Sequence, residues 1–371
     1  MKRVLFLIPT LDKGGAENVL LNLVNHMDYS KFDITVQTLF DQDSQKSLLN
    51  PQITYKTYRK KQFRGNSKLF ARLPATLLYR LIVKEEYDIV VSYLEGPTAH
   101  IISGCPYPDT NKVAWIHTAF DKERGFLAGF RSKNAALKGY CAFDLIACVA
   151  EKVKERFIYY SGFDESRCKV LYNTINTNEI KKKSKIVLPN NIFSSEEINI
   201  VSTGKIQPVK GYDRLAIVQK KLKASGLNTH IYILGVGNQR AEIERFLIDN
   251  NILDSFTFLG FSDNPYNYLA AADMFVCSSR REGFSTAVTE ALILGKPVVS
   301  TNCSGSYELM GENNEYGIVT ENNEDALYEG IKKMVTMPGL LEHYAKKAKE
   351  RGEMFSIAKT VGAVEDMLMS I

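Results

Sequence analysis

Short runs rich in Val, Ile and Leu alternate with amphipathic stretches along this 371-residue chain, and that alternation restricts it to one class of fold. The first half reads Val4 to Ile8, a helical pattern from Ala16 to His26, Ile34 to Leu39, then Ile89 to Tyr93, Val113 to His117 and Leu145 to Val149. Strands that are apolar along their whole length are covered on both faces, the condition of a parallel sheet between helix layers. The pattern halts between Asn176 and Glu197, where Lys181-Lys182-Lys183, Pro189-Asn190-Asn191 and Ser194-Ser195 form a polar stretch suited to an interdomain linker. It restarts with Ile198 to Ser202, a helix from Tyr212, His230 to Leu234, a helix from Arg240 and Phe256 to Leu259. A short helix to Ala272, Met274 to Cys277, a helix from Ser285 to Leu294 and Pro297 to Ser300 complete the second series. Two α/β domains are predicted, residues 1–180 and 181–371, with the last helix a candidate to cross back onto the first domain. Ligands of open parallel sheets bind beyond the carboxyl ends of the strands, so two such domains facing one another would make a deep cleft.

Composition narrows the class without naming a function. With 45% hydrophobic and 24% charged residues the chain reads as a globular protein rather than a disordered or fibrous one. Lys2-Arg3 before Val4 to Ile8 imitates a secretion signal, but the run ends at Pro9 and Asp12-Lys13, so a first strand is predicted. No apolar stretch approaches the roughly 18 residues needed to span a bilayer. Six cysteines without a C-x-x-C pair suit reduced thiols and a cytoplasmic setting. The net charge of +5 is uneven: residues 1–170 hold 25 basic against 18 acidic residues, the remainder 22 against 24.

The loops after strands carry the candidate chemistry. Gly14-Gly15, between the first strand and its helix, would let a phosphate approach free backbone amides at a helix start, and equally suits a plain tight turn. Gly204-Lys205 through Lys210-Gly211 sets two lysines five residues apart after the first strand of the second domain. Two ammonium groups there suit a departing diphosphate, although solvated surface lysines look the same in sequence. Gly235-Val236-Gly237-Asn238 starts like a dinucleotide fingerprint, but Arg240 stands where the third glycine belongs, which counts against a nicotinamide dehydrogenase. The stretch from Ser279 to Ser300 sets Glu282 at the end of a loop and Glu290 inside the next helix. A carboxylate accepts hydrogen bonds from a sugar diol, and Gly283, Phe284 and Ser285 can offer backbone amides. His117 ends a first-domain strand, a place that suits a catalytic or a structural histidine. Asp41-Gln42-Asp43 imitates a metal-binding Asp-x-Asp but has no further ligands nearby, so solvated loop carboxylates are expected.

Taken together these elements resemble glycosyltransferase family 4, retaining enzymes of the double-Rossmann GT-B fold. The likeness covers nearly the whole chain and is strongest from Val201 to Glu308. Glu282 and Glu290 match the family's E-x7-E element, Gly204-Lys205 through Lys210-Gly211 its Gly-basic-x4-Lys-Gly element, Gly14-Gly15 its first-domain glycine loop, and His117 its first-domain histidine. The resemblance implies that Glu290 binds the ribose hydroxyls, Lys205 and Lys210 the diphosphate, and Glu282 with the Gly283-Phe284-Ser285 amides the donor sugar. It further places Gly14, Gly15, Gly204, Gly235 and Thr286 among the donor contacts, Phe261 of Gly260-Phe261-Ser262 at the base, and His117 at the transferred sugar. Cys303-Ser304-Gly305-Ser306-Tyr307-Glu308 resembles the Gly-Gly-x-x-Glu segment but departs from it at Ser304.

From that resemblance the chain is expected to use a nucleotide-sugar donor (UDP favoured, GDP open) and a glycan or lipid-linked acceptor, as in bacterial surface polysaccharide synthesis. No metal and no cofactor are expected, because lysines and helix starts supply the charge. The family is held to retain configuration by a front-face route assisted by the departing phosphate, so no protein nucleophile is assigned. The rivals are a sugar-nucleotide epimerase or hydrolase of the same fold, or an inactive partner subunit. A nucleic-acid partner is not expected, since the basic residues lack interleaved stacking aromatics. Lys56, Arg59, Lys60, Lys61, Arg64 and Lys68 precede a helix-prone stretch, Leu69 to Val83, carrying Arg72 and Arg80. That composition suits peripheral contact with anionic lipid on the inner face of the cell membrane, or a core-packing helix with a basic edge.

Overall fold

A computed structural model describes residues 1–12, 14–41, 45–120, 122–188 and 192–371. Lys13, the Gln42 and Asp43 of the Asp-x-Asp sequence, and Pro189-Asn190-Asn191 of the expected linker lie outside the described residues. The chain divides into two compact units, Met1–Ile175 with Ile357–Ile371, and Asn176–Ser356.

The first unit is built on β1 (Lys2–Ile8), β2 (Phe32–Phe40), β3 (Thr54–Arg59), β4 (Ile89–Ser92), β5 (Asn111–Ile116), β6 (Leu145–Cys148) and β7 (Cys168–Val170). These form one parallel sheet in the order β3-β2-β1-β4-β5-β6-β7. The second unit repeats the plan with β8 (Ile198–Thr203), β9 (Thr229–Leu234), β10 (Phe256–Gly260), β11 (Met274–Cys277), β12 (Val298–Thr301) and β13 (Ile318–Thr320), ordered β10-β9-β8-β11-β12-β13. Both are Rossmann-like. The central strands are the expected apolar runs: Val4 to Ile8 and Val113 to Ile116 are buried throughout, and Ile200, Ile231, Met274 and Val299 sit in the second core.

Three strands carry no such signal, for a physical reason. β3 is the sheet edge, Thr-Tyr-Lys-Thr-Tyr-Arg, with each residue at least partly exposed, and β7 and β13 are only three residues each at the opposite edges. The stretch Leu69 to Val83 is not one helix but two, Asn66–Arg72 and Ala75–Ile82, because Pro74 keeps Leu73 extended and ends the first. The polar stretch after Asn176 holds a helix, Thr177–Lys183, started by the Asn176 side chain accepting the Glu179 amide at 3.0 Å. The last helix, Ile357–Met369, packs on Gly15–His26 of the first unit. There Glu365 accepts the Asp28 amide at 2.6 Å and Lys31 Nζ at 3.3 Å. Among the described residues no helix is long and apolar enough to cross a membrane, and all six cysteines are free thiols.

Candidate functional site

In each sheet the strand order reverses once, between β1 and β4 and between β8 and β11. Loops diverge there to opposite faces and leave the crevice in which doubly wound sheets hold ligands. Of the residues expected from the sequence, Gly14 and Gly15 follow β1, Lys205 and Lys210 follow β8, and Glu282 follows β11.

In the second unit the loops after β8 and β11 are stitched together. The Arg280 amide donates to the Val209 carbonyl at 2.8 Å and Ser278 Oγ to the Lys210 carbonyl at 2.9 Å. Gly211 has φ +67°, and a Cβ there would lie 2.2 Å from the Ser278 carbonyl, so only glycine allows the approach. Arg280 grips Asp213 with two bonds of 2.7 and 2.6 Å, a fork that fixes the second loop on the helix Tyr212–Ala224. Across this seam Lys210 Nζ meets Glu282 Oε1 at 2.6 Å, and Ser279 Oγ donates to the same oxygen at 2.6 Å. Both partners are largely shielded, their side chains 26% and 14% exposed. Lys205, by contrast, is exposed and has no partner among the described residues.

The neighbouring loops continue the wall. Gly204 donates its amide to the Leu234 carbonyl and Gly235 to the Gly260 carbonyl, at 2.9 and 2.8 Å. Gly235 has φ +153°, and a Cβ there would stand 1.9 Å from the Gly204 carbonyl oxygen. Phe261, just beyond, is 67% exposed. Ser285 starts the helix Thr286–Ile293 with its hydroxyl accepting the Val288 amide at 3.4 Å, so its side chain is committed to the cap, and Phe284 is buried against Phe355. Gly305 lies against Gly283 and Phe284, bringing the Cys303 to Glu308 loop to this wall.

Glu290 lies one helix turn further in, half-buried, and the Tyr266 hydroxyl donates to its carboxylate. Enclosure pushes its pKa up to about 7 despite that bond. Tyr266 starts the helix Tyr266–Ala271, and nothing in its sequence setting marks it out. The two glutamates thus have separate partners: Glu282 sits with lysine and serine, Glu290 with tyrosine.

In the first unit Gly14 precedes the helix Gly15–His26, and the Glu17 carboxylate folds back so that a Cβ on Gly14 would lie 2.1 Å from its Oε2. Desolvation, with Asp12 nearby, raises the pKa of Glu17. A carboxylate therefore lies at the glycine loop where the sequence suggested a phosphate, while Gly15 faces open space.

His117 follows β5, its ring 5.0 Å from that of Tyr93. Burial pushes its pKa down to about 4, so the ring is neutral. It is hydrogen-bonded to the Tyr93 carbonyl, and because buried Nε2 has no partner, the bond belongs to Nδ1–H. Nε2 is left as a buried acceptor with no partner among the described residues. Glu95, in the loop after β4, accepts the His117 amide at 3.0 Å and the Thr118 hydroxyl, and its burial raises its pKa. Glu95 holds the backbone at His117 and the Thr118 side chain, a contact that sequence reasoning passed over. Its signal was a carboxylate immediately after a switch-point strand. If His117 contacts the transferred sugar, Glu95→Ala is expected to lower turnover by up to about 100-fold with little change in donor KM, the cost of displacing a reacting group by about 1 Å. Glu95→Gln, which keeps an acceptor oxygen, should restore most of it. Unchanged steady-state turnover in the alanine variant would refute the role.

Among the described residues no three His, Cys, Asp or Glu side chains gather as metal ligands. Comparison with known proteins adds two family matches: residues 13–179 fit the model described as Glycosyltransferase Family 4, and residues 185–351 that of Glycosyl transferases group 1. A Campylobacter jejuni protein, N-acetylgalactosamine-N,N'-diacetylbacillosaminyl-diphospho-undecaprenol 4-alpha-N-acetylgalactosaminyltransferase, is 30% identical over 59% of this chain and 58% of its own length. The Staphylococcus aureus capsular polysaccharide biosynthesis glycosyltransferase CapM is 25% identical over 77% of each. Among solved structures, Anabaena HepE in complex with UDP superposes with a TM-score of 0.80 at 18% identity over the whole of both chains. That likeness concerns the fold.

Proposed function

We propose that this chain, which belongs to the group 1 and family 4 glycosyltransferases, moves a hexose or N-acetylhexosamine from a UDP-sugar to a hydroxyl of a glycan or lipid-linked acceptor. The observation that carries this reading is the Lys210–Glu282 pair at the switch point of the second unit, with the Glu290–Tyr266 pair on the helix that follows Glu282 and on the helix Tyr266–Ala271. An ammonium with two N–H donors to spare suits a diphosphate leaving group, a shielded carboxylate suits sugar hydroxyls, and the Glu290 carboxylate suits a ribose diol. Neutral His117 would accept from a hydroxyl of the transferred sugar without adding positive charge near an oxocarbenium-like centre. The reading includes retention of configuration and independence from metal, with Lys210 supplying the countercharge. Its acceptor class follows the relatives: the Campylobacter enzyme's name specifies a diphospho-undecaprenol acceptor, and CapM a capsular polysaccharide pathway.

A thermal-shift series without added metal, against UDP, GDP, ADP and their sugar conjugates, tests it. UDP and a UDP-sugar are expected to raise Tm selectively, and the shift should vanish in both Glu290→Ala and Lys210→Ala. A GDP-selective shift would replace the base. No shift with any nucleotide would leave an inactive partner subunit as the better reading, and nucleotide release without an acceptor would favour a hydrolase or epimerase.

A further inference from the structure

The helix Tyr266–Ala271 buries Asn267 and Leu269 in the second unit. Tyr266 opens that helix, is only partly covered, and commits its hydroxyl to the Glu290 carboxylate rather than to the core. Burial, and after it the Glu290 and Glu179 carboxylates, push the pKa of Tyr266 up, so its hydroxyl keeps its proton and acts as a donor throughout the neutral range. Glu179 stands on the helix Thr177–Lys183, which packs against both the Tyr266 helix and the Glu290 helix.

The backbone under Tyr266 is fixed as well. Asn264 Oδ1 accepts the Tyr266 amide at 3.3 Å, and Asn264 Nδ2 donates to the Lys183 carbonyl at 3.0 Å. Ser262 Oγ in turn accepts the Asn264 amide at 3.2 Å. One asparagine thus ties the loop after β10 to the end of the helix Thr177–Lys183 and sets the place from which the tyrosine starts. A carboxylate offers about four acceptor sites. A donor fixed on one of them leaves the others in a set orientation, whereas a carboxylate without such a partner turns about its broad terminal torsion.

We propose that Tyr266 is a positioning residue for a ribose: its hydroxyl holds the Glu290 carboxylate so that the remaining acceptor sites meet the 2′- and 3′-hydroxyls, which makes this unit select a ribonucleoside over its 2′-deoxy counterpart. The inference rests on the ribose role proposed for Glu290 and adds the residue that prepares it. The same bond favours the ionised carboxylate, the form able to accept from both hydroxyls. Enclosure of Glu290 works against ionisation, and the tyrosine offsets part of that effect. A tyrosine serving the fold alone would stabilise the helix start without touching either nucleoside selectivity or the charge of Glu290.

Isothermal titration of the whole chain with uridine and 2′-deoxyuridine, from about pH 5.5 to about pH 8.5, tests it, with guanosine and 2′-deoxyguanosine run alongside to cover the other base. The parent is expected to prefer the ribonucleoside by about tenfold or more on the alkaline side. Tyr266→Phe keeps the ring and loses only the donor. It should bind the ribonucleoside about tenfold more weakly near neutral pH and lose much of the preference. The midpoint of its pH dependence should move up by about one pH unit, the worth of one hydrogen bond to a charged group. Asn264→Ala, which leaves the hydroxyl in place but frees the backbone beneath it, should move both readings the same way by less. If Tyr266→Phe fails to fold, Asn264→Ala decides alone. Selectivity and midpoint both equal to the parent's would overturn the inference while leaving Glu290 on the ribose. Equal losses for both nucleosides with an unmoved midpoint would do the same, since that is the mark of a purely structural tyrosine. A parent that binds each pair equally, or binds no nucleoside, would instead overturn the ribose role of Glu290 and the inference with it.

Discussion

Lys210→Ala is expected to lower kcat by about 10²–10³-fold, the usual cost of losing one preorganised donor from the place where charge develops. Breaking a sugar–diphosphate bond puts negative charge on the leaving phosphate, and the Lys210 ammonium is already held in place before any donor arrives. Its 2.6 Å bond to Glu282 fixes one of three N–H groups, and the seam from Ser278 and Arg280 fixes the backbone it hangs from. Little reorganisation is left to be done during the reaction, which is what makes such a charge effective. Lys205 has no comparable anchor, so Lys205→Ala should cost less, about tenfold. Because Lys210 and Glu282 are in contact, the double variant Lys210→Ala/Glu282→Gln should lose less than the product of the single losses. Steady-state turnover of each variant with a UDP-sugar gives these ratios directly. A Lys210→Ala enzyme within twofold of the parent would sink the leaving-group role. A covalent glycosyl adduct on Glu282, seen by mass spectrometry, would replace its positioning role with that of a nucleophile.

The fold is legible where burial on both faces writes continuous apolar runs, as at Val4 to Ile8 and Met274 to Cys277. It is not legible at the sheet edges, where β3 is half solvated and β7 and β13 are too short to make a pattern. Pro74 could have split the stretch Leu69 to Val83, since a residue before proline avoids the helical region. Lys210, Glu282, Glu290 and His117 are readable as candidates because each stands in a loop after a strand or in the helix that follows. Their partnerships are not readable, because contact between residues 72 positions apart depends on β8 and β11 lying side by side. The same holds for Tyr266 on Glu290 and Glu95 on His117. Each is an ordinary residue until the sheet order sets it against a distant group.

The pH dependence of nucleotide affinity should follow Glu290. Its pKa in the folded chain is about 7, against an ordinary 4.5, so below pH 7 the ligand-free protein carries the neutral acid and above it the carboxylate. Only the carboxylate can accept from both ribose hydroxyls, so affinity for uridine or UDP is expected to be full above about pH 8 and to weaken as pH falls through 7. If binding requires the ionised form, Kd rises by up to about tenfold per pH unit on the acid side. Uridine, which lacks the titrating phosphate, isolates this group, and Glu290→Gln should bind weakly with no such dependence. Stability moves the other way. A carboxyl whose folded pKa is raised holds its proton more tightly in the native state, so protonation favours folding below pH 4.5, and that advantage is lost as pH rises through 7. Glu290→Gln, uncharged at every pH, should therefore be more stable than the parent at pH 8, by on the order of 3 kcal/mol, and no more stable at pH 4. Calorimetry at the two pH values and isothermal titration with uridine measure the two effects separately. A variant that loses nucleoside affinity yet gains stability at alkaline pH would identify Glu290 as a charge kept partly buried for its ligand, whereas parallel losses of both would mean that it serves only the fold.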